Sequence, residues 1–154
     1  MAELLPGALA PDFELPSSGG TIRLSQLRGK PVVIFFYPKD DTSACTTEAT
    51  DFSALKPAFD SLGVSVLGIS PDSLRRHERF SAKHGLTVDL LSDEERTALE
   101  AYGVWTEKTM YGRKYMGVER TTFLIDAAGT IARIWRKVKV KGHAQEVLAA
   151  AGSL

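Results

Sequence analysis

The chain has 154 residues, enough for a single domain spanning 1–154 around one hydrophobic core, and folding should bury roughly two-thirds of the surface an unfolded chain exposes. Apolar residues make up 44% and charged residues 25%, an ordinary globular balance that excludes disordered, collagen-like and membrane-embedded classes. Lys plus Arg equals Asp plus Glu at 19 each, so no net field exists to gather nucleic acid or an anionic membrane surface, and neither is expected as a partner.

The first residues carry no basic stretch followed by a long apolar run, so no signal peptide is expected. Residues 6–27 hold Pro11, Pro16 and a Ser17-Ser18-Gly19-Gly20 turn between short alternating stretches, which reads as an N-terminal β-hairpin. Residues 32–37 are continuously apolar and rich in β-branched and aromatic side chains. They predict a central strand buried on both faces, and they fall far short of the roughly 20 residues that span a bilayer.

From Thr46 the apolar positions Ala49, Phe52, Leu55 and Phe59 recur at intervals of three and four, predicting an amphipathic helix to about Leu62, bent at Pro57 and ended by Gly63. Residues 64–70 form a second buried strand, 73–84 a second helix closed by Gly85, and Leu90-Leu91 a short strand. A third helix is expected over 94–102, then a polar loop carrying Trp105, Tyr111 and Tyr115. Residues 121–126 and 130–135 flank Ala127-Ala128-Gly129 as a hairpin, and 142–151 supply the last helix. This order describes a three-layer α/β domain with a central mixed β-sheet and helices on both faces. The basic stretch 133–141 alternates with Ile134, Trp135, Val138 and Val140, as a half-solvated strand does. His77, His84 and His143 lie among charged helix residues and are expected to be solvated, without the Cys or carboxylate company of a metal site. Trp105 and Trp135 are assigned to packing.

Cys45 is the only cysteine, so no internal disulfide can form, which suits a reducing cytoplasmic setting and leaves a free thiol to explain. It follows the central strand and opens a helix, where backbone N–H groups lack partners and negative charge is favoured. With Thr42 as N-cap, Cys45 is the third helical residue, and thiolate is the reactive form of cysteine. A lone cysteine in an arbitrary domain is more often a small buried hydrophobe, but its position here, below Pro38 and Thr42, is where α/β sheets place binding atoms.

Two separated motifs resemble those of the peroxiredoxins, most closely the bacterioferritin-comigratory or plant Q-type subgroup. Pro38, Thr42 and Cys45 match Pro-x-x-x-Thr/Ser-x-x-Cys, extended by Tyr37 to Asp40 before it and Thr46 to Glu48 after it. Gly117 to Asp126, with Arg120 before a run of strand residues, matches the second, and Ala10-Pro11-Asp12-Phe13 resembles the family's opening hairpin. The resemblance covers about residues 6–150 and implies a thioredoxin-like fold and a thiol-dependent peroxidase that needs no cofactor or metal. Cys45 would attack hydrogen peroxide or an organic hydroperoxide and become a sulfenic acid. Thr42 would orient the peroxide, Arg120 would hold the thiolate and stabilise charge on the leaving oxygen, Pro38 would shield the sulfur, and Glu48 would orient Arg120.

The chain departs from the family at two points. Ser43-Ala44 stands where Pro-Gly is usual, which should change how the first helical turn is held. Thr50 and Ser81 stand where many relatives keep a second cysteine, so the resemblance is to a one-cysteine member recycled by an external thiol: thioredoxin, glutaredoxin, a small molecule or another subunit. A monomer or weak homodimer is expected. Three other readings use the same residues: a peroxide sensor that relays oxidation to a partner protein, a thiol–disulfide oxidoreductase lacking its usual Cys-x-x-Cys, and a binding domain with an inert thiol.

Overall fold

The computed structural model describes residues 3–154. In chain order it contains β1 (Glu14–Ser17), β2 (Gly20–Arg23), a 3-10 turn (Leu24–Leu27), β3 (Val32–Phe36), α1 (Ser43–Ser61), β4 (Ser65–Ser70), α2 (Leu74–His84) and β5 (Asp89–Ser92). Then come α3 (Thr97–Ala101), β6 (Trp105–Met110), β7 (Arg113–Val118), β8 (Thr121–Ile125), β9 (Ile131–Trp135) and α4 (His143–Gly152). Seven strands form one sheet in the order β2-β1-β5-β4-β3-β8-β9. The β3–β4 and β4–β5 pairs are parallel and the rest antiparallel, so the sheet is mixed, with the β1–β2 hairpin at one edge.

The unbroken apolar run of β3 is explained by its central place. Val32, Ile34 and Phe36 enter one core with Ala98, Leu99 and Tyr102 around α3, while Val33, Phe35 and Tyr37 enter the other with Cys45, Ala49 and Phe52 of α1, Phe80 of α2 and Val147 of α4. Strand side chains alternate between faces, so a strand sandwiched by two cores must be apolar throughout. The neighbouring β4 makes room for these rings at Gly68, where an added Cβ would lie 2.6 Å from Phe35 Cζ. The helices therefore cover both faces, giving a thioredoxin-like fold.

Three local readings need correction. The expected polar loop after Gly103 is a second sheet, β6 paired with β7 and turning through Tyr111 and Gly112 at φ of 52° and 76°. Two successive left-handed residues are the geometry of a tight hairpin turn, and Gly112 was the signal for it. The third helix begins at Thr97 rather than Glu94, because Arg96 takes a left-handed φ of 62° and the Asp93 carboxylate accepts the Leu99 N–H at 2.8 Å. His77 and His143 are buried rather than solvated. Among the described residues no helix is long and apolar enough to cross a membrane.

Candidate active site

Strand β3 delivers the chain to the site. Tyr37 N–H still donates to Ile69 O at 3.1 Å, and residues 38–42 then turn, with Asp41 at a φ of 62°, before α1 starts at Ser43. Thr42 is the N-cap, with extended backbone, and its carbonyl accepts the Thr46 N–H at 2.8 Å. Cys45 is thus the third helical residue, and its side chain packs into the α1-side core with the residue only 1% exposed.

Arg120 reaches Cys45 by strand parity. In β8, Phe123 and Ile125 enter the α3-side core while Leu124 enters the α1-side core, so Arg120, in phase with Leu124, projects toward α1. Its Nη2 donates to Cys45 Sγ at 3.3 Å and its Nη1 donates to Glu48 Oε1 at 2.7 Å. Cys45 and Glu48 are three residues apart on α1, which puts both on one face of the helix. Burial pushes the Glu48 carboxyl up to about 7, because the charge and hydrogen bond of Arg120 pull it down less than desolvation lifts it. Burial also works to lower Arg120, but Glu48 and Cys45 outweigh it and hold the guanidinium above its ordinary range. A permanent cation with its hydrogen-bonding fork shared between a sulfur and a carboxyl can meet negative charge forming beside it. Glu48 Oε2 is buried without a hydrogen-bond partner.

Thr42 and Pro38 occupy the turn in front of this unit. The Thr42 hydroxyl does not cap α1; it donates to Lys39 O at 2.8 Å, which leaves its lone pairs to accept. Thr42 is exposed and Pro38 half-buried. The structure joins Cys45, Glu48 and Arg120 by direct bonds and places Thr42 and Pro38 in the adjoining turn.

The expectation that His77, His84 and His143 are solvated is overturned for two of them. His77 is 1% exposed and His143 4%, whereas His84, half-buried, pairs with Asp41 at 2.8 Å. His77 lies three residues before Phe80, which is buried on the same face of α2, and that spacing was the available signal. Its Nδ1 is 2.7 Å from Asp40 Oδ2 and its Nε2 2.9 Å from Leu91 O. The Tyr37 hydroxyl donates to Asp40 Oδ1 at 2.7 Å; burial, with Asp40 beside it, pushes this phenol well above its ordinary value and keeps it a donor. His143 Nε2 lies 2.8 Å from Thr122 Oγ1, and burial lowers the imidazole to about 4.

His77 also has the carboxylate company the sequence did not show, since ligand-type atoms of Asp40, Asp72 and His77 lie within 4.8 Å of one another. Those atoms are already engaged, however. Asp72 Oδ2 accepts from Asp40 N–H and Ser70 Oγ, each at 2.7 Å, and its Oδ1 pairs with Arg76 at 3.2 Å. A fully bonded network of this kind is structural rather than an open metal site.

A helix-borne, buried thiol held by a guanidinium at the end of a central strand defines a class of cysteine-centred redox proteins, and comparison with known proteins narrows it. Residues 6–134 match the AhpC/TSA family. The chain is 49% identical over 143 residues to a putative peroxiredoxin bcp of Coxiella burnetii, covering 92% of this chain and 95% of that protein. It is 48% identical to peroxiredoxin Bcp of Bacillus subtilis, covering 92% and 91%. The bacterioferritin comigratory protein of Xanthomonas campestris superposes with a TM-score of 0.89 at 45% identity, over 99% of this chain and 97% of that one. The PrxQ of Xylella fastidiosa, as a Cys-to-Ser mutant, superposes with a TM-score of 0.93 at 38% identity, over 99% and 98%. The chain belongs to the peroxiredoxins, in the Bcp or Q-type subgroup, and is a thiol-dependent peroxidase acting on hydroperoxides.

Proposed function

We propose that Cys45 is the peroxide-reacting thiol, that Arg120 and Thr42 act on the bound peroxide, and that Glu48 and Pro38 support them. The observation that carries this reading is the 3.3 Å bond from Arg120 to the sulfur, with Glu48 holding the other arm of the guanidinium. The Cys45 thiolate attacks one oxygen of the peroxide, an S–O bond forms and the O–O bond breaks. The second oxygen leaves with the electron pair, takes up a proton and departs as water or an alcohol, so the peroxide is reduced and Cys45 becomes a sulfenic acid. Arg120 meets the negative charge on that leaving oxygen, Thr42 accepts a hydrogen bond from the peroxide O–H, and Pro38 limits water at the sulfur.

Recycling is external, because the chain has one cysteine. A thiol of thioredoxin, glutaredoxin or a small molecule condenses with the sulfenic acid and releases water; a second thiol then exchanges with the mixed disulfide and frees Cys45. Organic as well as inorganic peroxides are substrates in this reading, supported by the alkyl peroxide reduction activity attributed to the similar Xanthomonas campestris protein. Cys45, Glu48 and Arg120 are joined within one chain, so in this reading a monomer or weak homodimer carries a complete site in each copy. Dependence on cellular thiols supports a cytoplasmic setting.

The test is intact mass spectrometry after one equivalent of peroxide. Wild type should gain one oxygen and lose it again on adding a thiol, while folded Cys45→Ser should do neither and consume no peroxide. Peroxide turnover in folded, metal-free Cys45→Ser would sink the assignment.

A further inference from the structure

The turn of residues 38–42 is held by more than its own backbone. Asp40 is 3% exposed, and it is gripped from three elements. Tyr37 at the end of β3 donates to its Oδ1, Asp72 after β4 accepts its N–H, and His77 of α2 meets its Oδ2. The Leu91 carbonyl can only accept, so His77 Nε2 donates to it, and Nδ1 on the other side of the ring meets Asp40 Oδ2 at 2.7 Å. An apolar side chain at position 77, beside Phe80, would leave Asp40 Oδ2 and the Leu91 carbonyl buried without this partner. A histidine there gives what an apolar residue lacks, a directional tether from α2 and β5 to one carboxyl group of the turn. The tether continues to the reacting end, because Lys39, next to Asp40, supplies the carbonyl that receives the Thr42 hydroxyl at 2.8 Å.

We infer that His77 is a positioning residue for peroxide reduction: by fixing Asp40 it fixes Lys39 O, and through it the orientation of Thr42 in front of Cys45. This rests on the assignment of Cys45 and Thr42 above. It assigns the otherwise unused buried polar network a part in the reaction, although no atom of His77 touches the peroxide.

The test uses two amide replacements of different reach. In His77→Asn the amide nitrogen falls near the Nδ1 position and can still bond Asp40, whereas in His77→Gln it falls near the Nε2 position and bonds Leu91 O instead. The second-order rate of Cys45 oxidation by hydrogen peroxide is expected to stay within about threefold of wild type in His77→Asn and to fall at least tenfold in His77→Gln. Alkylation of Cys45 by iodoacetamide, which needs no oriented Thr42, should hold or rise in His77→Gln. A merely structural residue would lower thermal stability in both variants and leave the oxidation rate of the folded protein alone. Equal oxidation rates in the two variants, or alkylation falling in step with oxidation, would overturn the inference. If His77→Gln does not fold, Asp40→Ser, too short to reach His77, is compared with Asp40→Asn, which can; an undiminished rate in Asp40→Ser overturns it equally. Wild type that gains no oxygen at Cys45 overturns the peroxidase assignment as well, whereas reactive wild type with an unaffected His77→Gln overturns this inference alone.

Discussion

The turn before α1 and the β6–β7 hairpin are both tight reversals built on left-handed residues, Asp41 in one and Tyr111 with Gly112 in the other. Around the first, the two carboxylates are tied to other elements: Asp40 to Tyr37, Asp72 and His77, and Asp41 to Lys83 and His84 of α2 at 2.7 and 2.8 Å. The hairpin is paired chiefly with itself, and Tyr111 at its tip is 98% exposed, with Met110 and Met116 also exposed. Left-handed backbone is therefore no mark of a working site in this chain. What separates the two reversals is buried hydrogen bonding across elements, which fixes the side chains of the first to the precision that the proposed reaction at Cys45 would need.

Three substitutions sharpen that contrast. The largest effect is expected at Arg120→Met, which keeps an apolar stem but removes the cation beside the sulfur. By analogy with deletion of a charge-stabilising donor, transition-state stabilisation should fall by about 2–4 kcal/mol. Stopped-flow measurement of the second-order rate with hydrogen peroxide checks it, and a rate within threefold of wild type contradicts the role.

Glu48→Gln should change how stability depends on pH. Glu48 in the folded chain is raised to about 7 from an ordinary 4.5, so between those values the unfolded chain has released a proton that the folded chain keeps. The unfolded state then binds fewer protons, and this group's contribution to stability, complete below 4.5, is lost as pH rises through 7. Urea titrations across this range should show a downward component in wild type that Glu48→Gln lacks; parallel profiles would mean that Glu48 ionises normally. The smallest effect belongs to the hairpin, where Tyr111→Ser should alter stability by less than about 0.5 kcal/mol and leave the peroxide rate unchanged. A tenfold loss of rate there would dissolve the comparison.

The same contrast explains what could be read from the sequence. β3 was legible because both its faces are buried, and α1 because its apolar spacing survives through Pro57 to Ser61. Cys45 with Thr42, and Arg120 with Glu48, stood out through motifs whose spacing the fold converts into proximity. β6 and β7 escaped notice because most of their side chains face solvent, so no alternation marks them. His77 was hidden among Arg75, Arg76, Glu78 and Arg79, all exposed, and its burial depends on Asp40 and Leu91, which are distant in the sequence. Local pattern reveals which face of an element is apolar; it does not reveal a polar side chain accepted into that face because a partner waits there.

The depth of Cys45 has a consequence for the second half of the cycle. A peroxide is small enough to enter beside a sulfur that is 1% exposed, but a thiol mounted on a protein is not, because its own backbone must approach almost to bonding distance. In the proposed cycle, a protein donor would reach the oxidised sulfur only after the opening turn of α1 gave way. Recycling by such a donor would then have a ceiling that belongs to this chain and not to the donor: beyond some supply of reductant, adding more would gain nothing, and the peroxidase would keep its own time.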